Sequence, residues 1–409
     1  MISKSNTKVL LCGGGNAIHV LTSYIGSRKD FDVSVLSLFP GEAERFRNAI
    51  PEEGVRCIND LGDDVYGKPV VVSDDPAEVV PTADVVIFAL PSFTHGMYLE
   101  ALKPHLKPGV ILGAMPGEGG FDLTATHFLG EKFVTGCDLF ALETLPWACR
   151  IVEYGKVVED LGTKKEIDVV IRPKEGDTVQ QVAAILQNLI GRLPVLHPAA
   201  NFLAVTLMNI NSVWHPTISY GFYRNHDISK GFDEPPLFYQ GADEYTGEKL
   251  DKVSNEVLEV KRVLMEKYPG LDLKDVHHVS EWMLTSYGDD IADKSSIYKM
   301  LLTNKGYRGL THPVVEKETP EGKKYFPNFK YRYFSEDIPC GLIVTRGIAE
   351  LAGVATPNMD DVIMWCQEKM EKEFLVDGKV AGKDLGITRA PQHYGFTDLD
   401  TFMKVNRYA

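Results

Sequence analysis

The chain opens with a glycine-rich turn between a strand pattern and a helical pattern. Residues 8–12 are mostly apolar and branched, three consecutive glycines follow, and the helical pattern starts at once. In a Rossmann fold this order lets the backbone approach the pyrophosphate of a dinucleotide, and the helix N-terminus offers N–H groups to the anion. The usual third glycine is replaced by Ile18. The residues predicted to contact the cofactor are Gly13, Gly14, Gly15, Asn16, Ala17 and Ile18.

The second predicted strand, residues 32–39, does not identify the dinucleotide. A Rossmann fold that binds NAD usually ends this strand near an acidic residue, which holds the ribose hydroxyls. Leu38 and Phe39 stand there instead, and we predict that Phe39 contacts the cofactor. Arg45 and Arg47 follow, and they could bind the 2′-phosphate of NADP. We prefer to interpret these two arginines as part of a solvated helical face.

Composition limits the class of protein. A chain of 409 residues is long enough for two domains, and its formal net charge of −14 argues against nucleic-acid binding. The six cysteines are scattered without a C-x-x-C pair, so we expect reduced thiols and neither disulfides nor a metal site. No apolar run approaches the roughly 20 residues of a membrane span. The first seven residues lack a secretory core, and we therefore expect a cytosolic protein.

The first half of the chain alternates strand and helix patterns, which predicts βαβ units and a parallel sheet. Further strand patterns lie at residues 69–73, 84–90, 109–113, near 133–134, 157–158 and 167–171. Helical patterns lie at residues 178–190, 247–268, 274–287 and 359–375. Pro91 follows the most apolar of the strands, at the carboxyl end where ligands of such sheets bind, and it is a further predicted cofactor contact.

The pattern changes near residue 200, beyond which strand signals become scarce. We predict an α/β protein with an N-terminal Rossmann domain of parallel sheet at residues 1–200. An all-α catalytic domain follows at residues 201–409. Residues 311–331, which contain three prolines, are predicted to be the least regular part of that second domain.

Three segments carry side chains suited to acid–base chemistry or anion binding. His215 lies on an early helix of the second domain, although a structural histidine is the commoner outcome. Residues 331–339 combine a guanidinium with two carboxylates before an apolar helix, and Ser335, Glu336 or Asp337 could simply cap that helix. Residues 142–150 combine an acid, an indole and a guanidinium in a predicted sheet-edge loop, which could equally be an interdomain contact.

These segments and the glycine turn resemble the opine dehydrogenases, most closely the octopine-forming enzymes of marine invertebrates. The resemblance runs nearly from end to end, and the eight-residue string ETLPWACR at residues 143–150 is very specific. The other matching segments are residues 12–16, 236–241, 332–333, 336–339, 378–384, 391–392 and 394–396. The resemblance implies a reductive condensation of pyruvate with an amino acid, with NADH rather than NADP, in an active site between a Rossmann domain and a helical domain.

The resemblance also implies roles for individual residues. His215 would be the acid/base, Asp337 its orienting carboxylate, and Arg332 the partner of the keto-acid carboxylate. Glu143 would face the amino-acid substrate, and Glu118 is a further candidate for the substrate site. We expect a monomer, with a dimer as the alternative.

The amine donor is left open by two departures from the octopine-forming enzymes. Asn209 and Asn211 replace a methionine and a tyrosine of their amino-acid pocket. Alanine, glycine, β-alanine and taurine therefore stand beside arginine as candidates, and we favour a small donor. Two rival functions are a 2-keto or 2-hydroxy acid dehydrogenase that needs no amine, and a non-catalytic NAD(H)-binding sensor.

Overall fold

The computed structural model describes residues 6–59 and 64–408. These residues divide into two compact units, with the division between Phe202 and Leu203. The N-terminal segment for which the sequence predicts no secretory signal lies largely outside the described residues. Among the described helices, none combines the length and the apolar character needed to cross a lipid bilayer.

The first unit contains twelve strands in its described part, and eight of them form one sheet. The strands are β1 Thr7–Cys12, β2 Phe31–Leu36, β3 Val55–Ile58, β4 Val65–Gly67, β5 Val71–Ser73, β6 Val85–Phe88, β7 Ile111–Ala114, β8 Asp138–Leu142, β9 Trp147–Glu153, β10 Val157–Thr163, β11 Glu166–Arg172 and β12 Val195–Ala199. The helices are α1 Asn16–Gly26, α2 Glu42–Ala49, α3 Pro76–Val79, α4 His95–Leu102, α5 Phe121–Leu129, α6 Glu131–Thr135 and α7 Val179–Ile190.

The eight-stranded sheet has the order β12-β11-β8-β7-β6-β1-β2-β5. From β5 to β8 all neighbours are parallel, whereas β11 runs antiparallel to β8. Strands β6 and β8 are buried along their whole length, as expected for a parallel sheet that is covered on both faces. The chain moves from β1 outward to β5 and then returns to β6, so the strand order reverses between β1 and β6. Ligands of open α/β sheets bind at such a switch point.

A second sheet, with the order β4-β3-β10-β9, packs against α1. Polar side chains of α1 hold it, because Ser23 Oγ donates to the Val55 carbonyl (2.9 Å) and Tyr24 Oη donates to Asp160 (2.7 Å). At Gly67 of β4, a Cβ would lie 2.3 Å from the Thr22 carbonyl oxygen. Glycine therefore permits the close approach of this sheet to α1.

The second unit is mainly helical. Its helices are α8 Phe202–Leu207, which contains the division, α9 Ile210–Tyr223, α10 Glu244–Lys267, α11 Val279–Tyr287, α12 Ile297–Thr303, α13 Arg332–Ser335, α14 Ile343–Ala352, α15 Pro357–Lys369 and α16 Leu399–Val405. Two hairpins accompany them, formed by β13 Val314–Thr319 with β14 Gly322–Pro327 and by β15 Leu375–Val376 with β16 Lys379–Val380. Helix α9 is central, since ten of its fourteen residues are buried.

The predicted fold class, a Rossmann parallel sheet followed by a helical domain, is confirmed. Two local predictions are wrong. Phe133 and Val134 belong to α6, and the strand follows it as β8. Residues 311–331 contain the β13–β14 hairpin rather than only irregular chain.

Candidate active site

The glycine turn connects β1 to α1 at the switch point of the sheet. Gly13 has a left-handed φ of +122°, and its N–H donates to the Leu36 carbonyl at 2.8 Å. A Cβ at Gly13 would lie 3.2 Å from the Ala89 carbonyl oxygen, just after β6. Both the backbone conformation and the neighbouring strand therefore favour glycine here.

The N-terminus of α1 is open to an anion. Gly15 is the N-cap residue and gives no side-chain cap, and the first turn holds no acidic residue. A Cβ at Gly15 would meet nothing within 4 Å. Space is therefore open beside Gly15, at the helix end where the first-turn N–H groups carry a partial positive charge. This geometry fits the pyrophosphate of NADH, with Gly15, Asn16, Ala17 and Ile18 as the residues that would hold it.

The second sheet, β4-β3-β10-β9, fixes the start of α1. The Asn16 side-chain carbonyl accepts from the Ile151 N–H at 2.9 Å, so that oxygen serves the fold. His19 bridges the turn and the sheet: its Nδ1 lies 2.8 Å from the Gly15 carbonyl, and its Nε2 lies 2.8 Å from the Gly155 N–H. Because Nε2 must accept, Nδ1 is the donor and the ring is neutral. Burial lowers the pKa of His19 to about 4, in agreement with this role.

Several predicted site residues follow the carboxyl ends of the parallel strands. Phe39 comes after β2 and is 40% exposed, and Pro91 comes after β6. Glu118 follows β7 in a glycine-rich loop with an unusual φ of +54°, and Glu143 follows β8 directly, half-buried. Since these strands are parallel, the four residues lie at the same edge of the sheet as the glycine turn.

The segment at residues 143–150 is only partly the loop that the sequence predicts. The loop is confined to residues 143–146, and Trp147 begins strand β9. The Glu143 N–H donates to the Asp168 carbonyl at 3.0 Å, which fixes the start of the loop beside β11. Glu143 is therefore held at the sheet edge, whereas Trp147 is buried in the small sheet.

The second unit brings His215 and Asp337 together. His215 Nδ1 donates to Asp337 Oδ2 at 2.6 Å, and both side chains are buried. The ring of Tyr333 stacks on the imidazole with a centroid separation of 3.6 Å and an interplanar angle of 13°. These contacts fix the plane and the tautomer of the ring, which leaves Nε2 as the nitrogen for proton transfer.

Close packing of two helical segments positions this pair. Residues Ile338–Leu342 form a π-helical segment that begins right after Asp337. A Cβ at Gly341 would lie only 2.2 Å from the Ser212 Cβ on α9. Glycine at position 341 therefore lets this segment approach α9 one turn before His215.

Arg332 is anchored by a buried carboxylate. Its Nε–H donates to Glu336, whose side chain is 2% exposed, while the Arg332 side chain is 57% exposed. The ion pair orients the guanidinium from one side. A planar, bidentate contact with a substrate carboxylate would use the terminal NH2 groups. The capping interpretation of Glu336 and Asp337 is wrong, since Glu336 binds Arg332 and Asp337 binds His215.

Asn209 and Asn211 lie at the start of the helix that carries His215. Asn209 is the N-cap residue of α9 without a side-chain cap, and its amide nitrogen lies near Gly341. Asn211 is exposed and precedes His215 by four residues, so Asn211 and His215 lie on the same face of α9.

The sequence predicted no role in the site for Tyr333 or Glu336, although both lie in a segment that it singled out. The i, i+4 spacing of Arg332 and Glu336 is a signal that could have paired them. No simple signal predicts the stacking of Tyr333 on a ring 118 positions earlier. Among the described residues, no group of three or more His, Cys, Asp or Glu side chains is placed to hold a metal ion.

The environment of His312 differs from that of His215, because it is formed by aromatic rings rather than by a carboxylate. It is buried against the rings of Phe222, Tyr223 and Phe238, and neither ring nitrogen has a hydrogen-bond partner among the described residues. Burial lowers the pKa of His312 to about 3, and the nearby His226 adds to the effect.

His312→Phe should make the protein less sensitive to acid. Between pH 6.5 and about 3, the unfolded chain binds a proton that folded His312 does not, so stability falls as pH falls, by up to about 1.4 kcal/mol per pH unit. Phenylalanine removes this dependence and the two unpaired nitrogens. Urea midpoints from tryptophan fluorescence, compared at about pH 7.5 and pH 5, measure the slope. Replacement of the exposed His277 by glutamine is the control, and an unchanged slope in His312→Phe would contradict the prediction.

Comparison with known proteins identifies the family. A family model described as "NAD/NADP octopine/nopaline dehydrogenase, alpha-helical domain" matches residues 198–370. The chain is 41% identical to the tauropine dehydrogenase of Arabella iricolor over 96% of this chain and 99% of that one. It is 41% identical to the octopine dehydrogenase of Pecten maximus over 97% of this chain and 98% of that one.

A solved octopine dehydrogenase with NADH and L-arginine superposes with a TM-score of 0.91, at 41% identity over 97% of this chain and 98% of that one. A complex with NADH and pyruvate gives a TM-score of 0.88, at 39% identity over the same shares. With relatives this similar over nearly the whole length, the chain belongs to the opine dehydrogenase family of NAD-dependent oxidoreductases.

Proposed function

We propose that the protein condenses pyruvate with the amino group of a small amino acid and reduces the product to an N-(1-carboxyethyl) amino acid. The observation that carries this proposal is the buried His215–Asp337 pair. The His215 ring stacks on Tyr333, which directly follows the anchored Arg332 in the sequence. Pairing of a histidine with a carboxylate suits general acid–base catalysis near neutral pH. Solved octopine dehydrogenases bound to pyruvate and to L-arginine support the same substrate classes.

Arg332, His215 and Asp337 have separate roles in the proposed reaction. Arg332 binds the pyruvate carboxylate and orients the keto carbon, which the amine nitrogen attacks. His215 Nε2 donates the proton with which the carbinolamine oxygen leaves as water, and Asp337 stabilises the histidine in its charged form. NADH, when bound at the glycine turn, supplies the hydride that reduces the resulting imine carbon. The net reaction consumes pyruvate, the amino acid, NADH and a proton, and it yields the secondary amine, NAD⁺ and water.

The first unit supplies the other predicted contacts. The residues that we propose to bind NADH are Gly13, Gly14, Gly15, Asn16, Ala17, Ile18, Phe39 and Pro91. Glu118 and Glu143, at the same sheet edge, are proposed to face the substrates. We accordingly propose that residues 1–200 form the NAD-binding domain and residues 201–409 the catalytic domain.

We further propose a cytosolic monomer. All six cysteines are free thiols, and thiols persist in a reducing compartment. Every cofactor and substrate contact that we propose comes from one chain, as a monomeric enzyme requires. Size-exclusion chromatography with light scattering measures the oligomeric state, and a stable dimer would contradict the monomer.

An amine panel tests the proposed reaction. We expect NADH oxidation with pyruvate only when glycine, alanine, β-alanine, taurine or arginine is added, and more rapidly with a small donor than with arginine. Mass spectrometry should detect the condensed product. Oxidation with pyruvate alone would indicate a 2-hydroxy acid dehydrogenase instead, and no oxidation under any condition would favour a non-catalytic NAD(H)-binding protein.

Asn211→Tyr should change the choice of amine without changing the use of pyruvate. The exposed asparagine lies one turn before His215, so a large ring there should crowd the amine and raise the KM for small donors by about tenfold. The matched control is Asn255→Tyr, at an exposed asparagine of α10. Steady-state constants for pyruvate and for each amine provide the readout. An unchanged amine preference would remove Asn211 from the substrate site.

A further inference from the structure

Glu42 places a carboxylate directly on the glycine turn. It is the first residue of α2, after Gly41 with its left-handed φ of +73°. A Cβ at Gly14 would lie 2.3 Å from the Glu42 Cδ and 2.4 Å from its Oε2. Glycine at position 14 therefore leaves room for this carboxylate.

A buried hydroxyl fixes this carboxylate. Ser37 follows β2 and is 1% exposed, and its Oγ donates to Glu42 Oε2 at 2.5 Å. Glu42 as a whole is only half-buried, so part of its side chain remains accessible to a ligand. The side chain is therefore oriented by one oxygen.

We propose that Glu42 is the residue that selects NADH over NADPH, by accepting from the adenosine ribose hydroxyls and repelling a 2′-phosphate. A Rossmann fold specific for NAD places a carboxylate near the end of the second strand for this purpose. Leu38 and Phe39 occupy that position here, and α2 brings Glu42 back to the glycine turn instead. The inference rests on the proposed function only in its use of NADH.

The neighbouring arginines agree with this assignment. Arg47 Nε donates to the Val72 carbonyl at 2.9 Å, and the Arg45 guanidinium lies 3.6 Å from the centroid of the Tyr154 ring. Both cations that could have bound a 2′-phosphate thus have other partners. Arg45 still follows Glu42 by three residues on α2, so it is the cation that NADPH would recruit once the Glu42 charge is removed.

Fluorescence titration of the whole enzyme with NADH and with NADPH, without substrates, tests the proposal. Glu42→Gln keeps the shape and removes the charge. We expect it to weaken NADH binding by about 10- to 100-fold, the range for a hydrogen bond to a charged group. NADPH binding should tighten by about tenfold, because Arg45 can pair with the 2′-phosphate once the competing carboxylate charge is removed. In the double variant Glu42→Gln/Arg45→Ala, most of this gain should be lost.

Glu44→Gln, in the same helical turn but exposed, is the matched control and should leave both dissociation constants unchanged. Ser37→Ala should shift both constants in the same direction as Glu42→Gln, but less. If Glu42→Gln binds both dinucleotides like the wild type, or weakens both equally, the proposal is overturned while the condensation reaction stands. If the wild type binds neither dinucleotide, the proposed function itself fails.

Discussion

His215→Ala should lower kcat by about 10²- to 10⁴-fold, the usual contribution of a positioned general acid. The imidazole is held on three sides, by the Asp337 carboxylate, the stacked Tyr333 ring and the tilted ring of Phe238. We therefore propose its Nε2 as the proton donor of the reaction. Steady-state kinetics with pyruvate and the best amine measure the loss, and NADH titration should give the wild-type dissociation constant.

His215→Ala also removes a ring from a packed cluster, so a second variant is needed to distinguish a loss of catalysis from a loss of stability. His215→Gln retains more of the side-chain volume and should lose as much activity, while its urea midpoint should stay closer to that of the wild type. The exposed His277→Ala should retain full activity. Near wild-type turnover in either His215 variant would make this a structural histidine.

The parts of the fold that the sequence predicts well are those where local chemistry and tertiary structure agree. The strand–glycine–helix order at Gly13 predicts the switch point, because glycine permits both the tight turn and the close approach of the backbone to a dinucleotide. The continuous apolar run of β6 predicts a strand that is covered on both faces. Thr178 forms the capping box of α7, at the point where the predicted helix begins.

The wrong predictions arise where long-range pairing decides the structure. Phe133 and Val134 look like a strand, yet they form a turn of helix between Gly130 and Gly136, with the strand two residues later. The β13–β14 hairpin has few apolar residues, so its alternation of buried and exposed side chains is weak. Of the second sheet, the sequence predicts only β10, at residues 157–158, because β3 and β4 are four and three residues long and too short to show a clear periodicity.

The site could be assembled from the sequence only through the family resemblance. His215 and Asp337 are 122 positions apart, and local rules interpret the aspartate as a helix cap. The proposed role of Glu42 does not follow from the usual sequence rule. That rule expects an acidic residue at the end of β2, whereas Glu42 lies in the first turn of the following helix.

Asp337→Asn and Glu336→Gln should have different kinetic signatures although the two acids are neighbours. Asp337 binds His215, the proposed proton donor, so Asp337→Asn should lower kcat by about 10²- to 10⁴-fold, because a neutral amide neither stabilises the charged imidazole nor enforces its tautomer. Glu336 binds Arg332, so Glu336→Gln should instead raise the KM for pyruvate. That increase should be about two- to fivefold, since the Arg332 side chain is 57% exposed and solvent screens the ion pair.

Each variant controls for the other, because both replace a buried carboxylate by an amide of the same shape. Full kinetics with pyruvate and the amine varied separately, together with NADH titration, distinguish the two signatures. If Glu336→Gln lowered kcat as much as Asp337→Asn, the acids would act as one structural network rather than in separate roles. If Asp337→Asn changed only the KM for pyruvate, proton transfer would not depend on the carboxylate, and the proposed coupling of His215 with Asp337 would be wrong.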